Sequence, residues 1–139
     1  DIIKQLETIV RDIASRQTVP VEIEFVSLDL NGISGHIDHI VASRSACFVF
    51  YTLKEAGLPM TRIRLATIPR SALDVHNLDF VYMQEGCADE DIDEIVDARS
   101  VVQEVYAIMR THHTQRGDCE AHISRLGDDV AVNYFLIKE

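Results

Sequence analysis

Asn31-Gly32-Ile33-Ser34-Gly35-His36-Ile37-Asp38-His39 divides two patterns of different period. Before it, Val21, Ile23 and Phe25 alternate with Glu22 and Glu24, and the apolar run continues through Val26 and Leu28. A two-residue period reads as a strand. After it an amphipathic run reaches Ala56, with Gly57 for a left-handed cap and Pro59 just beyond, which predicts a helix from about His36 to Ala56. The stretch is therefore a polar loop leading from a strand end to a helix N-terminus. In α/β proteins ligands bind there, outside the carboxyl ends of the strands. His36, Asp38 and His39 are three side chains able to hold a metal or move a proton within four residues. The two histidines are spaced i, i+3 and share a helix face. Neutral imidazole is a common metal ligand, and a histidine poised near neutrality is a common acid or base. On spacing alone, a pair of solvated surface histidines fits as well as a functional site.

Toward the N-terminus, Ile2, Leu6, Ile9 and Ile13, flanked by Ile3 and Val10, predict an amphipathic helix with one buried stripe. Pro20 ends any helical pattern. On the other side, Cys47 to Leu53 is apolar nearly all round, which predicts a helix half sandwiched between layers. Arg62 to Ile68 alternates and stops at Pro69, a second strand. Asn77 to Gln84 reads as a third short strand or a strand-like connection. Ala88 to Val96 fits either the acidic first turns of a helix, where the dipole favours carboxylates, or a short edge strand ahead of a helix capped by Asp97. From Ala98 a helix follows, with Val102, Val105, Met109 and His112 on one stripe. That stripe puts His112 where the core face reaches the helix C-terminus, and turns His113 about 100° away. Thr114 to Asp118 is the exit, with Gly117 as a cap candidate. Val130, Val132, Tyr134 and Leu136 mark a last strand. The order α-β-α-β-(β)-α-β implies one three-layer α/β domain over residues 1–139 with a partly parallel sheet.

A chain of 139 residues with 47% hydrophobic residues is long enough for a real core and too apolar for disorder. The net charge of −10 and the lack of a basic stripe argue against nucleic acid and against anionic membrane surfaces. The longest apolar run, Ala46 to Tyr51, is far short of the ~20 residues of a membrane span. No signal peptide is visible, and a first residue of Asp1 points to a processed product or a fragment. Cys47, Cys87 and Cys119 are odd in number and lack C-x-x-C spacing, which favours a reducing, cytoplasmic location over a disulfide framework or a cysteine zinc site. The carboxylates Asp89, Glu90, Asp91, Asp93 and Glu94 lack the EF-hand pattern and read as a solvated acidic face.

Gly32-Ile33-Ser34-Gly35-His36-Ile37-Asp38-His39, followed by Val41-Ala42-Ser43, resembles the G-x-x-G-H-P-D-H-x-x-[AS] signature of the LmbE-like, or N-acetylglucosaminyl-phosphatidylinositol de-N-acetylase-like (PIG-L type), zinc deacetylases. Thr111-His112-His113-Thr114-Gln115 is similar to that family's A-H-x-[ST]-Q motif, and Pro69-Arg70-Ser71-Ala72-Leu73 fits its middle stretch more weakly. The order and spacing of all three agree, over nearly the whole chain, which looks like the later part of a family member. The resemblance implies an incomplete Rossmann-like sandwich and a zinc-dependent N-deacetylase acting on an N-acetylated amino sugar or similar small amide. It implies His39 as a zinc ligand, His36 facing the acetamide carbonyl, Asp38 orienting His36, and His112 and Gln115 near the pocket rim. Catalytic zinc keeps three protein ligands and a water whose pKa it lowers to about 7, and second-shell carboxylates orient its histidines.

Two departures stand out. The family's H-P-D-D motif, which supplies its other ligands and its general base, is absent; His76-Asn77-Leu78-Asp79 has the outer spacing but lacks the central Asp and lies on the wrong side of the H-D-H motif. Ile37 stands where the family has Pro. One imidazole and one carboxylate make a poor zinc site, so the chain is expected to carry half of a site, with the missing motif upstream. The alternatives are a degenerate, non-catalytic LmbE-like binding domain and a plain α/β interaction module. An exposed sheet edge left by a missing strand predicts a homo-oligomer, most simply a symmetric dimer.

Overall fold

The structure, a computed structural model, describes residues 1–76 and 86–139. The strand or connection expected over Asn77 to Gln84 lies outside them, as does most of the His76–Asp79 set. Helix α1 (Ile2–Ser15) starts at Asp1, whose carboxylate accepts the Ile3 amide at 3.2 Å, satisfying one of the unpaired donors at the helix start. Its inner line is Ile3, Leu6 and Val10. Ile2, Ile9 and Ile13, expected inside, are about half exposed. Six apolar positions cover more of the helix than the stripe one packing face can bury, so those at its rim stay wet.

Strand β1 (Ile23–Leu28) and strand β2 (Met60–Thr67) are parallel, with Phe25 beside Ile63 and Ser27 beside Leu65. Parallel neighbours need a long crossover, usually helical. Here it consists of a four-residue turn, α2 (Gly32–Gly35), and the long helix α3 (Ile37–Glu55). His36 caps α3 in extended conformation, and Ala56 and Gly57 (φ +82°) end it, as the sequence predicts. Strand β4 (Val132–Lys138) runs antiparallel to β2 on one side and to β3 (Glu94–Asp97) on the other. The sheet is thus mixed, in the order β1-β2-β4-β3. Of the two readings of Ala88 to Val96, the edge strand holds, preceded by a 3-10 turn at Asp89–Asp91.

The core lies between the sheet and the α1/α3 pair. Val49, Phe50 and Leu53 of α3 meet Met60, Ile63 and Leu65 of β2, with Val10, Phe25 and Leu136 around them. The Phe50 ring sits 5.9 Å from that of Phe25. The sandwiched helix half expected from sequence is buried on one side only: Phe48 is 58% exposed and Tyr51 is also exposed. Its apolar girdle exceeds what one sheet covers. The opposite sheet face carries charge. Arg64 bonds Glu94 at 2.8 Å, Arg62 pairs with Glu24 at 3.1 Å, and the Arg64 guanidinium lies 4.3 Å over the buried Phe135 ring. The cation both pairs across strands and covers the ring.

The C-terminal region departs most from the sequence reading. The single helix expected from Ala98 through His112 is a 3-10 turn at Arg99–Val101 followed by the two-turn helix α5 (Val102–Met109). A further helix, α6 (Arg116–Leu126), takes in Gly117, which was expected as a cap. The apolar residues of its inner side are Cys119, Ile123 and Leu126, too few to stand out in a polar run. Arg110 donates to Glu120 at 2.8 Å, tying α5 to α6, and Tyr106 donates to Asp128, just beyond α6, at 3.0 Å. Helix α4 (Arg70–His76) follows Pro69, and the Asp89 carboxylate accepts both the amide and the hydroxyl of Ser71 in its first turn. No helix among the described residues is long and apolar enough to cross a membrane.

Candidate functional site

β1 ends at Leu28, and the next residue turns the chain toward α3. Asp29 donates its amide to the Ala66 carbonyl at 2.8 Å, continuing the β1–β2 ladder by one bond. Its carboxylate then holds the loop. Oδ1 accepts the amides of Asn31 at 2.9 Å and Ile33 at 3.1 Å, and Oδ2 accepts the buried Thr67 hydroxyl at 2.6 Å. Aspartate commonly bonds its own backbone two residues on. Sequence reasoning missed Asp29 and Thr67. The signal available was an Asp at a strand end two residues before Asn31-Gly32.

Gly32 brings the loop against the helix. Its φ is +68°, and a Cβ there would lie 2.8 Å from both His39 Cβ and Ile40 N. A residue with a side chain would be strained in φ and would collide with the first turn of α3. This approach puts the Gly32 carbonyl 3.2 Å from His39 Nδ1. A carbonyl only accepts, so Nδ1 is the donor, and in the neutral ring Nε2 then keeps its lone pair. His39 is half-buried and His36 is exposed, with the two rings edge to face at 5.4 Å. The loop is tied once more by Arg44, whose Nε donates to the Leu30 carbonyl at 3.4 Å.

The other sequence-derived residues are not brought to this pair. Asp38 is exposed in the first turn of α3, and no hydrogen bond joins it to His36. Ile37, where the resembled family has Pro, is 79% exposed. His112 was expected on the buried stripe of a helix. It is exposed instead, because α5 stops at Met109, and His112 lies in a non-helical turn (φ −78°, ψ 76°) between two short helical pieces. Gln115, also exposed, precedes α6. No hydrogen bond or ring contact joins His112 or Gln115 to His36 or His39 among the described residues.

A catalytic zinc needs three protein donors. His39 fits as one, since its Nδ1–H is held by a carbonyl as in metal-ligating histidines generally. The full set does not fit, because no group of three or more His, Cys, Asp or Glu side chains able to hold a metal occurs among the described residues. No catalytic step through a metal follows from these residues alone. No family model matches the chain, and no curated protein or solved structure is significantly similar to it.

Proposed function

We propose that the chain carries part of the active site of an LmbE-like amide hydrolase that removes the acetyl group from an N-acetylated amino sugar or similar small amide. The observation that carries this reading is the approach of His39 Nδ1 to the Gly32 carbonyl, which selects the Nδ1–H tautomer of the neutral ring and leaves Nε2 open, beside a second imidazole on the same helix turn. An unpaired Nε2 at a strand-to-helix junction suits a zinc ligand. His36 serves as the group that meets charge developing on the amide oxygen. Donors that complete the zinc site come from outside the described residues, and the fold is the corresponding part of a three-layer Rossmann-like sandwich. His112 and Gln115 take their place at the pocket rim, and Asp38 orients His36, once that site is complete. The protein works in the cytoplasm on a small molecule. Among the described residues β1 pairs with β2 alone and lies at the end of the sheet, which supports self-association through that edge.

The test is acetate release from N-acetylated amino sugars by the complete protein, with its zinc content measured. His39→Ala is expected to abolish zinc binding. His36→Ala is expected to keep zinc and slow turnover by about 10²–10³-fold, as for loss of an oxyanion donor. If both variants keep full metal content and rate, the assignment is wrong. A second reading, a non-catalytic binding domain or α/β interaction module, is favoured by the shortage of metal donors among the described residues. A complete protein that binds no zinc and releases no acetate would establish it over the first.

A further inference from the structure

We infer that Asp29 is a positioning residue for His39, acting through the peptide that joins Gly32 to Ile33. Three successive amides turn back onto Asp29. Those of Asn31 and Ile33 donate to Oδ1, and that of Gly32 donates to the Asp29 backbone carbonyl at 2.9 Å. The second carboxylate oxygen is held by the Thr67 hydroxyl at the end of β2. The carboxylate is therefore bonded at both oxygens and cannot swing away from the loop.

The Gly32–Ile33 peptide is trans, so its N–H and C=O point in opposite directions. Its N–H donates to Asp29 Oδ1 at 3.1 Å, and its C=O accepts from His39 Nδ1 at 3.2 Å. A carboxylate, a peptide and an imidazole stand in series. The sense is that of the carboxylate–histidine pairs that orient metal ligands, with one peptide inserted. Hydrogen bonds in such a chain polarise one another, so the negative charge at the N–H end makes the carbonyl a better acceptor for the ring. Ile33 supports this assignment. It is β-branched yet sits at φ +60°, ψ −57°, a conformation that costs about 1–3 kcal/mol and persists only where its surroundings impose it. Asp29 Oδ1 imposes it by holding the Ile33 amide. The relay's part in amide hydrolysis rests on the proposed function; the relay itself needs neither metal nor substrate.

The test is NMR of the 139-residue chain labelled with ¹⁵N, at a pH where the His39 ring is neutral. The wild type should show His39 protonated at Nδ1 and bare at Nε2. Asp29→Ala should lose that signature while far-UV circular dichroism stays native. Asp29→Asn keeps an oxygen for the two amides and should rescue the tautomer. Its neutral acceptor should still move both the Ile33 amide proton and the His39 Nδ1 proton upfield. A folded Asp29→Ala that keeps the Nδ1–H tautomer overturns the inference. So does a wild type protonated at Nε2. If Asp29→Ala fails to fold, an Asp29→Asn chain whose His39 ring proton does not move overturns it. A complete protein that releases no acetate would remove the hydrolase reading and leave these shifts standing. An unmoved His39 ring would remove Asp29 and leave the hydrolase reading standing.

Discussion

Two stretches of this chain carry the histidines that the sequence singles out, and they are built differently. Around His39, a strand end, a carboxylate, a glycine and a 19-residue helix converge, and each loop amide from Asn31 to Ile33 has a partner. Around His112, two short helices are joined by exposed residues and held by surface pairs such as Arg110 with Glu120. In the first stretch a side chain's direction follows from buried structure. In the second it follows from local backbone alone, and exposed ion pairs fix little. Similar motif spacing therefore does not imply equal preorganisation.

Two glycine substitutions should break that comparison most sharply. Gly32→Ala strains φ and drives a methyl into the first turn of α3, so a loss of about 3 kcal/mol is expected in urea unfolding. Gly117 in α6 has ordinary helical backbone, and nothing lies within 4 Å of the place a methyl would take there. Gly117→Ala should raise stability by about 0.5–1 kcal/mol, since alanine loses less entropy on entering a helix. A tolerated Gly32→Ala would mean that the loop does not press on α3.

The histidines themselves should sharpen the contrast. His112→Ala and Gln115→Ala remove exposed side chains, so each should change the stability of this chain by less than about 0.5 kcal/mol. Chemical denaturation of both variants checks this, and a larger loss would place them in contacts that the structure lacks.

The smallest effect concerns pH in the C-terminal region. Arg99 donates to the Asp97 carboxylate from its side chain and its backbone amide, which lowers the carboxyl pKa from 3.8 to about 2. A lowered folded-state pKa stabilises the fold above the unfolded value, and that contribution is lost as pH falls through about 2. Both side chains are about half exposed, so screening keeps the effect small. In Arg99→Ala, Asp97 should titrate near its ordinary value, and this part of the acid dependence between about pH 4 and pH 2 should vanish. Carboxyl ¹³C titration reads this directly.

Much of the fold was legible where one period ran long enough. The alternation from Val21 and the run to Ala56 located β1 and α3, and Gly57 with Pro59 marked the stop. α6 was illegible because its inner side has only three apolar residues. The outward turn of Ile9 and Phe48 was illegible because a hydrophobic pattern does not state how many layers will cover it. In the candidate site, His36 and His39 could be read from spacing, whereas Asp29 and Thr67 could not. They are 38 residues apart and meet only because β1 and β2 pair in parallel.

By itself, the sequence determined the strand–loop–helix junction and the residue types at its mouth, because these are local consequences of period and backbone freedom. Only the tertiary structure decided which nitrogen of His39 keeps its lone pair, that a carboxylate stands behind it, and that His112 lies in the open. The first two depend on hydrogen bonds that close when the loop folds back between β1 and α3, and the third on where α5 stops, and side-chain spacing states neither.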